Sequence, residues 1–246
     1  MDRMLYVAMA GAKETLRAQT VNNHNLANAS TTGFKADLAA FQSRAVDGSG
    51  YASRVYTQNT TTGWDATSGA LITTGRDLDV AVHGAGWIAV QDSAGKEAYT
   101  RAGDLQLDAT GALTTGAGRP VIGDGGPVVV PPYTSIFFAR DGSISIVAQG
   151  QTPDTTSTIG RLKLVNPDAG QLVRGEDGLF RLKDGSDAPA DAAVQVSSGA
   201  LETSNVNAAE AMVNMIELAR HFEMQVKAIR SAEENGQAAA QLMRLG

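Results

Sequence analysis

Residues 1–35, MDRMLYVAMAGAKETLRAQTVNNHNLANASTTGFK, decide the architecture. Leu5, Met9, Ala12, Leu16, Gln19, Asn23 and Leu26 recur at alternating steps of four and three, a heptad seam with two polar interruptions. The stripe is rich in alanine and weakly apolar, so a helix built on it gains most of its stability from whatever packs beside it. A second helical stretch lies at the other end, in residues 201–246. There Met212, Met215, Ile216, Ala219, Phe222, Val226 and Ile229 mark an apolar side, and Asn207 stands where an N-cap belongs. About 40 helical residues would span roughly 60 Å, more than one small β unit needs to be covered. On pattern alone two roles stay open: a helix that covers its own core and a helix that assembles with others.

The middle of the chain has a different period. Residues 36–75 are poor in aliphatics and rich in Gly, Ser, Thr and Asn, which reads as an extended connector with isolated anchors such as Tyr51 and Trp64. From Leu78 the period becomes two. Leu78, Val80 and Val82 alternate with Asp79 and Ala81, Trp87 to Val90 continue after a Gly84-Ala85-Gly86 turn, and Leu105 and Leu107 follow. Asp141-Gly142 between IFFAR and SISIV is the strongest hairpin signal. GRLKLV and GLFRL add two strands, and DGSDAPAD at 184–191 reads as a polar loop leading out of the domain. The expectation is an α+β chain: a mainly antiparallel β centre at 76–200, flanked by long terminal helices that pair as a coiled-coil-like helical domain. That domain takes 1–35 and 201–246, with 36–75 as connector.

Composition excludes several classes. The chain has 246 residues, a net charge of −6 and no cysteine. The acidic balance argues against nucleic-acid binding. The missing thiols remove disulfides, thiol catalysis and cysteine metal sites. No apolar run is long enough to span a membrane. Leu5 to Ala12 is too short for a signal peptide and is followed closely by Lys13, Glu14 and Arg17, which on sequence alone points to the cytoplasm. His24, His83 and His221 stand far apart without carboxylates at ligand spacing. Gly84-Ala85-Gly86 lacks the third glycine of a dinucleotide loop, and GDGGP at 123–127 lacks the lysine of a phosphate loop. Asp108-Ala109-Thr110-Gly111 lacks the spaced acids of a calcium loop. Asp77 and Asp79 sit on the polar side of the expected strand without a partner base. No catalytic, cofactor-binding or metal-binding residue is expected, and the chain reads as a non-enzyme.

Three motifs carry a resemblance. Asn25-Leu26-Ala27-Asn28-Ala29-Ser30-Thr31-Thr32-Gly33-Phe34-Lys35 resembles the N-terminal signature of the flagellar rod and hook axial proteins, N-L-A-N-x-S-T-x-G-[FY]-[KR]. Gly84, Gly86 and Trp87, then Tyr99, Thr100, Arg101 and Gly103, then Leu107, Asp108, Gly111 and Leu113 are similar to the family's central pattern. Glu202, Ser204, Asn205 and Val206 fit its C-terminal G-x-L-E-x-S-N-V, with Met212, Met215, Ile216, Arg220, Phe222 and Glu223 where that pattern expects them. The resemblance implies a structural subunit of the periplasmic rod, which polymerises through its terminal helices and passes torque from motor to hook and filament. Its partners would be other rod proteins and copies of itself. It would leave the cell uncleaved through the flagellar type III export apparatus. MDRMLYVAMAGA, RLKLV–GLFRL and ARHFEMQ look like a proximal-rod member; the distal-rod paralogue is the alternative within the family. Outside it, the rival is a soluble β-domain binding module whose helices form an ordinary dimer.

Overall fold

A computed structural model describes residues 3–45, 55–152 and 155–244. The chain forms two compact units, one of residues 1–29, 36–65 and 206–246 and the other of 30–35 and 66–205.

The first unit holds α1 (Arg3–Ala27) and α2 (Ala208–Arg244). Asn207 caps α2 as expected: its Oδ1 accepts the amides of Ala209 (3.1 Å) and Glu210 (3.3 Å). At 37 residues α2 is about 55 Å long. The two helices run antiparallel, because Gly11 lies beside Gln225 whereas Asn22, eleven residues on, reaches Ala211 O at 2.8 Å. The seam between them is made of small residues: Ala8, Ala12, Thr15 and Ala18 from α1, Ala211 and Ala232 from α2, all buried. Met215, Leu218, Phe222 and Ile229 are half-buried along the same side of α2. The seam on α1 is therefore rotated by nearly one residue from the stripe of larger apolar groups read in the sequence. Alanine and glycine let the backbones approach, and the bulkier Met9 and Leu16 are left 52% and 47% exposed.

Within the expected connector, Asp37–Ala45 and Val55–Trp64 pair as an antiparallel hairpin. Threonine-rich 57–62 suits a pleated strand better than its lack of aliphatics suggests. Asn25 ties this hairpin to α1: its Nδ2 donates to Asp37 O (2.9 Å) and its Oδ1 accepts Asp37 N–H (2.8 Å). Tyr51 lies outside the described residues; Trp64 is half-buried.

The second unit is β throughout apart from one short helical turn at Ala169–Gln171. Every strand pair in it is antiparallel. A five-stranded sheet runs in the order Leu164–Val165, Trp87–Gln91, Glu97–Thr100, Phe180–Leu182, Leu172–Arg174. A three-stranded sheet takes Tyr133–Phe138, Ser143–Ala148 and Ser157–Arg161, with Asp141-Gly142 turning the hairpin as read. Ribbons pair Val80–His83 with Gln195–Ser198 and Leu71–Thr73 with Ala200–Glu202. One core joins the two sheets and the 80–83 ribbon through Val82, Ile88, Val90, Ile136, Ile144, Leu162 and Val196, whereas Leu71 and Ile72 of the other ribbon are exposed.

Two local expectations change. Ala81 and Asp79 are buried, not on a wet face, because the strand at 80–83 is covered on both sides. Asp79 Oδ2 accepts the hydroxyl of Thr74 at 2.6 Å, and its Oδ1 lies 3.4 Å from Arg76 Nε. The loop at 184–191 does not lead away: the amide of buried Ala188 donates to Tyr99 Oη at 2.6 Å.

Candidate functional site

Segments 30–35 and 201–205, grouped with the helices in the sequence reading, belong to the β unit. There they meet the central motif. Gly33 N–H donates to Glu202 O (2.8 Å) and Asn205 N–H to Phe34 O (3.2 Å), so the stretch that enters the unit lies beside the stretch that leaves it. Beneath them Lys35, Arg101 and Glu202 are 0%, 4% and 1% exposed. Lys35 Nζ donates to Glu202 Oε1 at 2.7 Å and Arg101 Nη1 to Oε2 at 2.8 Å. Gly69 N–H is the third donor to the carboxylate and the second to Oε1, at 2.9 Å. Lys35 Nζ also donates to Thr67 O (2.8 Å), and Arg101 Nη2 to Gly84 O (2.7 Å). Two cations thus share one carboxylate, and the carbonyls of Thr67 and Gly84 take further donors, while Arg101 Nε has no hydrogen-bond partner among the described residues. Charges as dry as these are tolerated only when paired and hydrogen-bonded.

Stacked groups close the cluster. Arg101 lies 5.3 Å from the centre of the Trp87 ring, and Trp87 lies 4.5 Å from Phe180. Arg174 covers both Phe180 (5.3 Å) and buried Phe34 (4.3 Å). Arginines over aromatic faces gain an electrostatic attraction that survives burial. The glycines of the motifs have steric reasons. Gly33 has φ 65°, and a Cβ there would lie 2.3–2.4 Å from the carbonyl of Arg101. A Cβ on Gly103 would lie 1.6 Å from Val80 O. Neither position accepts a side chain without moving the backbone.

The motif residues therefore fall into three groups. Gly33, Phe34, Gly84, Arg101, Gly103, Glu202, Ser204 and Asn205 gather at or next to the cluster, and Thr100 Oγ1 steadies the turn by accepting Ala102 N–H at 3.0 Å. Asn25, Leu26, Ala27 and Asn28 end α1; Asn28 N–H and its side chain both return to His24 O (3.2 and 2.9 Å). Ser30 and Thr31 are exposed in the link, and Val206 leads into α2. Gly86 packs on Val194, and Tyr99 works further off. Its hydroxyl reaches Glu97 Oε1 (3.0 Å), which also takes Lys163 Nζ (2.8 Å). Burial pushes the Tyr99 phenol well above its usual range, so it stays neutral. The sequence reading missed Lys35 as the centre of a buried network, and it missed Thr67 and Gly69 altogether.

Of the residues read as assembly positions, Ala12 is buried in the helix pair and Leu5, Leu26, Met215, Phe222, Val226 and Ile229 are half-buried. Met9, Leu16, Met212, Ile216 and Ala219 are exposed. In an antiparallel pair these five fall on one side of the helices. The opposite side, with Asn22, Asn25, Asn214 and Glu217, forms a cleft against Asp37 and Ala39 of the hairpin. Among the described residues no helix is long and apolar enough to cross a membrane.

Two family models match stretches of this chain, one in the β unit and one that runs from its leaving segment into α2. One, "Flagellar hook protein FlgE/F/G D1 domain", covers residues 81–152, and the other, "Flagellar basal body rod FlgEFG protein C-terminal", covers 197–242. Both describe structural proteins of the flagellar axis. The flagellar basal-body rod protein FlgF of Salmonella typhimurium is 46% identical over 99% of both chains, and that of Escherichia coli is 45% identical over the same share. The rod protein FlgG of Bacillus subtilis is 33% identical over 95% of this chain and 96% of its own. The chain belongs to the FlgF family of flagellar basal-body rod proteins. Its role is that of a structural component of the rod.

Proposed function

We propose that the chain acts as a proximal-rod subunit without catalytic chemistry, polymerising with copies of itself and with neighbouring rod proteins through the helix pair, in the periplasm. Export without a cleaved leader is part of this reading. One observation carries it: the side of the pair that bears Met9, Leu16, Met212 and Ile216 is dressed in large apolar groups the subunit itself does not cover, with Ile216 53% exposed. A monomer gains nothing from that side, whereas a packed layer of helices does. Torque then passes through many modest contacts along helices.

The test is Leu16→Asp with Ile216→Asp. Both positions are wet in the isolated subunit, so helix content and melting should stay within about 0.5 kcal/mol of the parent. In a packed layer two unpaired carboxylates cost several kcal/mol. Cells lacking their own rod protein should regain swimming with the parent and not with the double variant. Full swimming with the variant would rule out this side as the assembly surface.

A further inference from the structure

We propose that Glu202 is the positioning residue of the subunit: its single carboxylate, gripped by Lys35 and Arg101, locks the segment entering the β unit beside the segment leaving it, so that the chain enters and leaves that unit at one fixed point. The proposal deepens the rod reading and rests on it only for its consequence in the assembled axis.

The backbone alone does not explain the lock. Entry and exit share backbone hydrogen bonds, among them Gly33 N–H to Glu202 O and Asn205 N–H to Phe34 O, and backbone bonds alone carry no preference for which side chains stand there. Side chains supply the rest. Lys35 ties the entry to Thr67 and to the exit carboxylate, while Arg101 ties the same carboxylate to Gly84 O, in the turn that follows the strand at 80–83. The carboxylate also receives Gly69 N–H, at a point where Gly69 is pressed so close to Thr203 that an added Cβ would lie 1.9 Å from its carbonyl oxygen. Four separate stretches of chain thus converge on two oxygens. The charge balance sharpens this. Lys35 and Arg101 both lean on the Glu202 carboxylate, and dry cations are tolerable while they are held there. If the carboxylate is neutralised, each cation has reason to seek water, and Lys35 can reach it by swinging the entry segment away.

The asymmetry gives a clean experiment. Lys35→Met removes one of the two cations and leaves Arg101 paired with Glu202, so the β unit keeps its fold while the entry loses its tether. Glu202→Gln keeps the shape and strands both cations. The chain has no cysteine, so pairs of introduced cysteines carry spin labels without interference. One pair, Ser30→Cys with Leu201→Cys, reports the distance between entry and exit. A second, Ser157→Cys with Glu176→Cys, reports the β unit away from the junction. In the parent both distance distributions should be narrow. Lys35→Met should widen the first at least twofold and leave the second unchanged, with the thermal transition of the β unit retained; Glu202→Gln should widen the first further. A junction distribution in Lys35→Met as narrow as the parent's overturns the proposal. Equal widening of both pairs overturns it too, because the cluster would then be general stabilisation. These distances are read on the isolated subunit, whereas failure of the rod reading would appear as failure of the parent protein to restore swimming.

Discussion

Gly33 combines two constraints in one residue. Its φ of 65° is costly for a β-branched side chain, and its missing Cβ makes room for the Arg101 carbonyl. The first was legible in the motif, where a glycine follows a run of Asn, Ser and Thr. The second was not, because Arg101 is far away in sequence. From the turn alone, Gly33→Val should spoil assembly more than folding of the β unit. The close approach revises that. Strain of roughly 1–3 kcal/mol at the turn adds to about 1–3 kcal/mol for forcing the backbone apart, so a loss of roughly 2–6 kcal/mol in the β unit itself is expected. Thermal melting of the purified variant checks it, and an unchanged transition would contradict the packing argument. Lys35 teaches the same lesson. Lysine is a surface residue by default, and nothing near it in the chain announces its partner.

Strands and hairpins were legible where the period is clear and the turn is local, as at Asp141-Gly142. The helix seam was legible as a period, with two uses for its large apolar groups left open; the close contact between the two helices uses alanines one residue away, which no period announces. The strand at 80–83 was read as half-buried because alternation cannot reveal a cover on the second face. One clamp between elements makes a pH prediction. Arg181 joins Asp92 (2.8 Å) at the turn of one hairpin to Asp177 (2.6 Å) at another, and these hydrogen bonds hold both carboxyls below their usual range. Asp108 and Asp141 are lowered mainly by the hydroxyls of Thr110 and Ser143. A carboxyl lowered on folding stabilises the fold above its unfolded value, and that contribution is lost as pH falls through the folded value. Asp104, raised by burial, acts in the opposite sense and favours the fold at low pH. The lowered groups prevail, so melting should drop below about pH 4. Arg181→Met should melt lower than the parent at neutral pH, and the gap should close as the pH is taken down through the carboxylate range. A gap that stays constant with pH would show that the guanidinium acts by packing alone.

For the whole molecule, the α+β class was readable from two helical ends around a β centre. The division between units was not, because it follows contacts and not periods. The motifs at 30–35 and 201–205 look like the ends of helices in the sequence and are parts of the β unit in space. A protease-resistant core near 70–195 follows from the sequence reading; the structure extends it to 30–205. The expected outcome is that a chain shortened to 30–205 outlasts one shortened to 66–205, which has lost Lys35 and the lid of Phe34. Removing one partner of a buried charge cluster costs about 3–5 kcal/mol. Since Arg101 and Glu202 remain paired, the low end of that range is expected, read by chemical denaturation of both fragments. Equal stability would mean that the entry segment is an ornament on a complete β unit.

Lys35 and Glu202 are 167 residues apart, and this separation bears on the order in which the molecule forms. Hairpins such as 133–148 close on themselves quickly, whereas a contact between such distant residues must wait for a large loop to be ordered first. On a ribosome the lysine emerges early and its carboxylate late. Until then Lys35 and Arg101 stay hydrated and α1 has no settled starting point. In a nascent or truncated subunit the junction therefore stays open, and completeness of the chain becomes a kinetic condition for closing it.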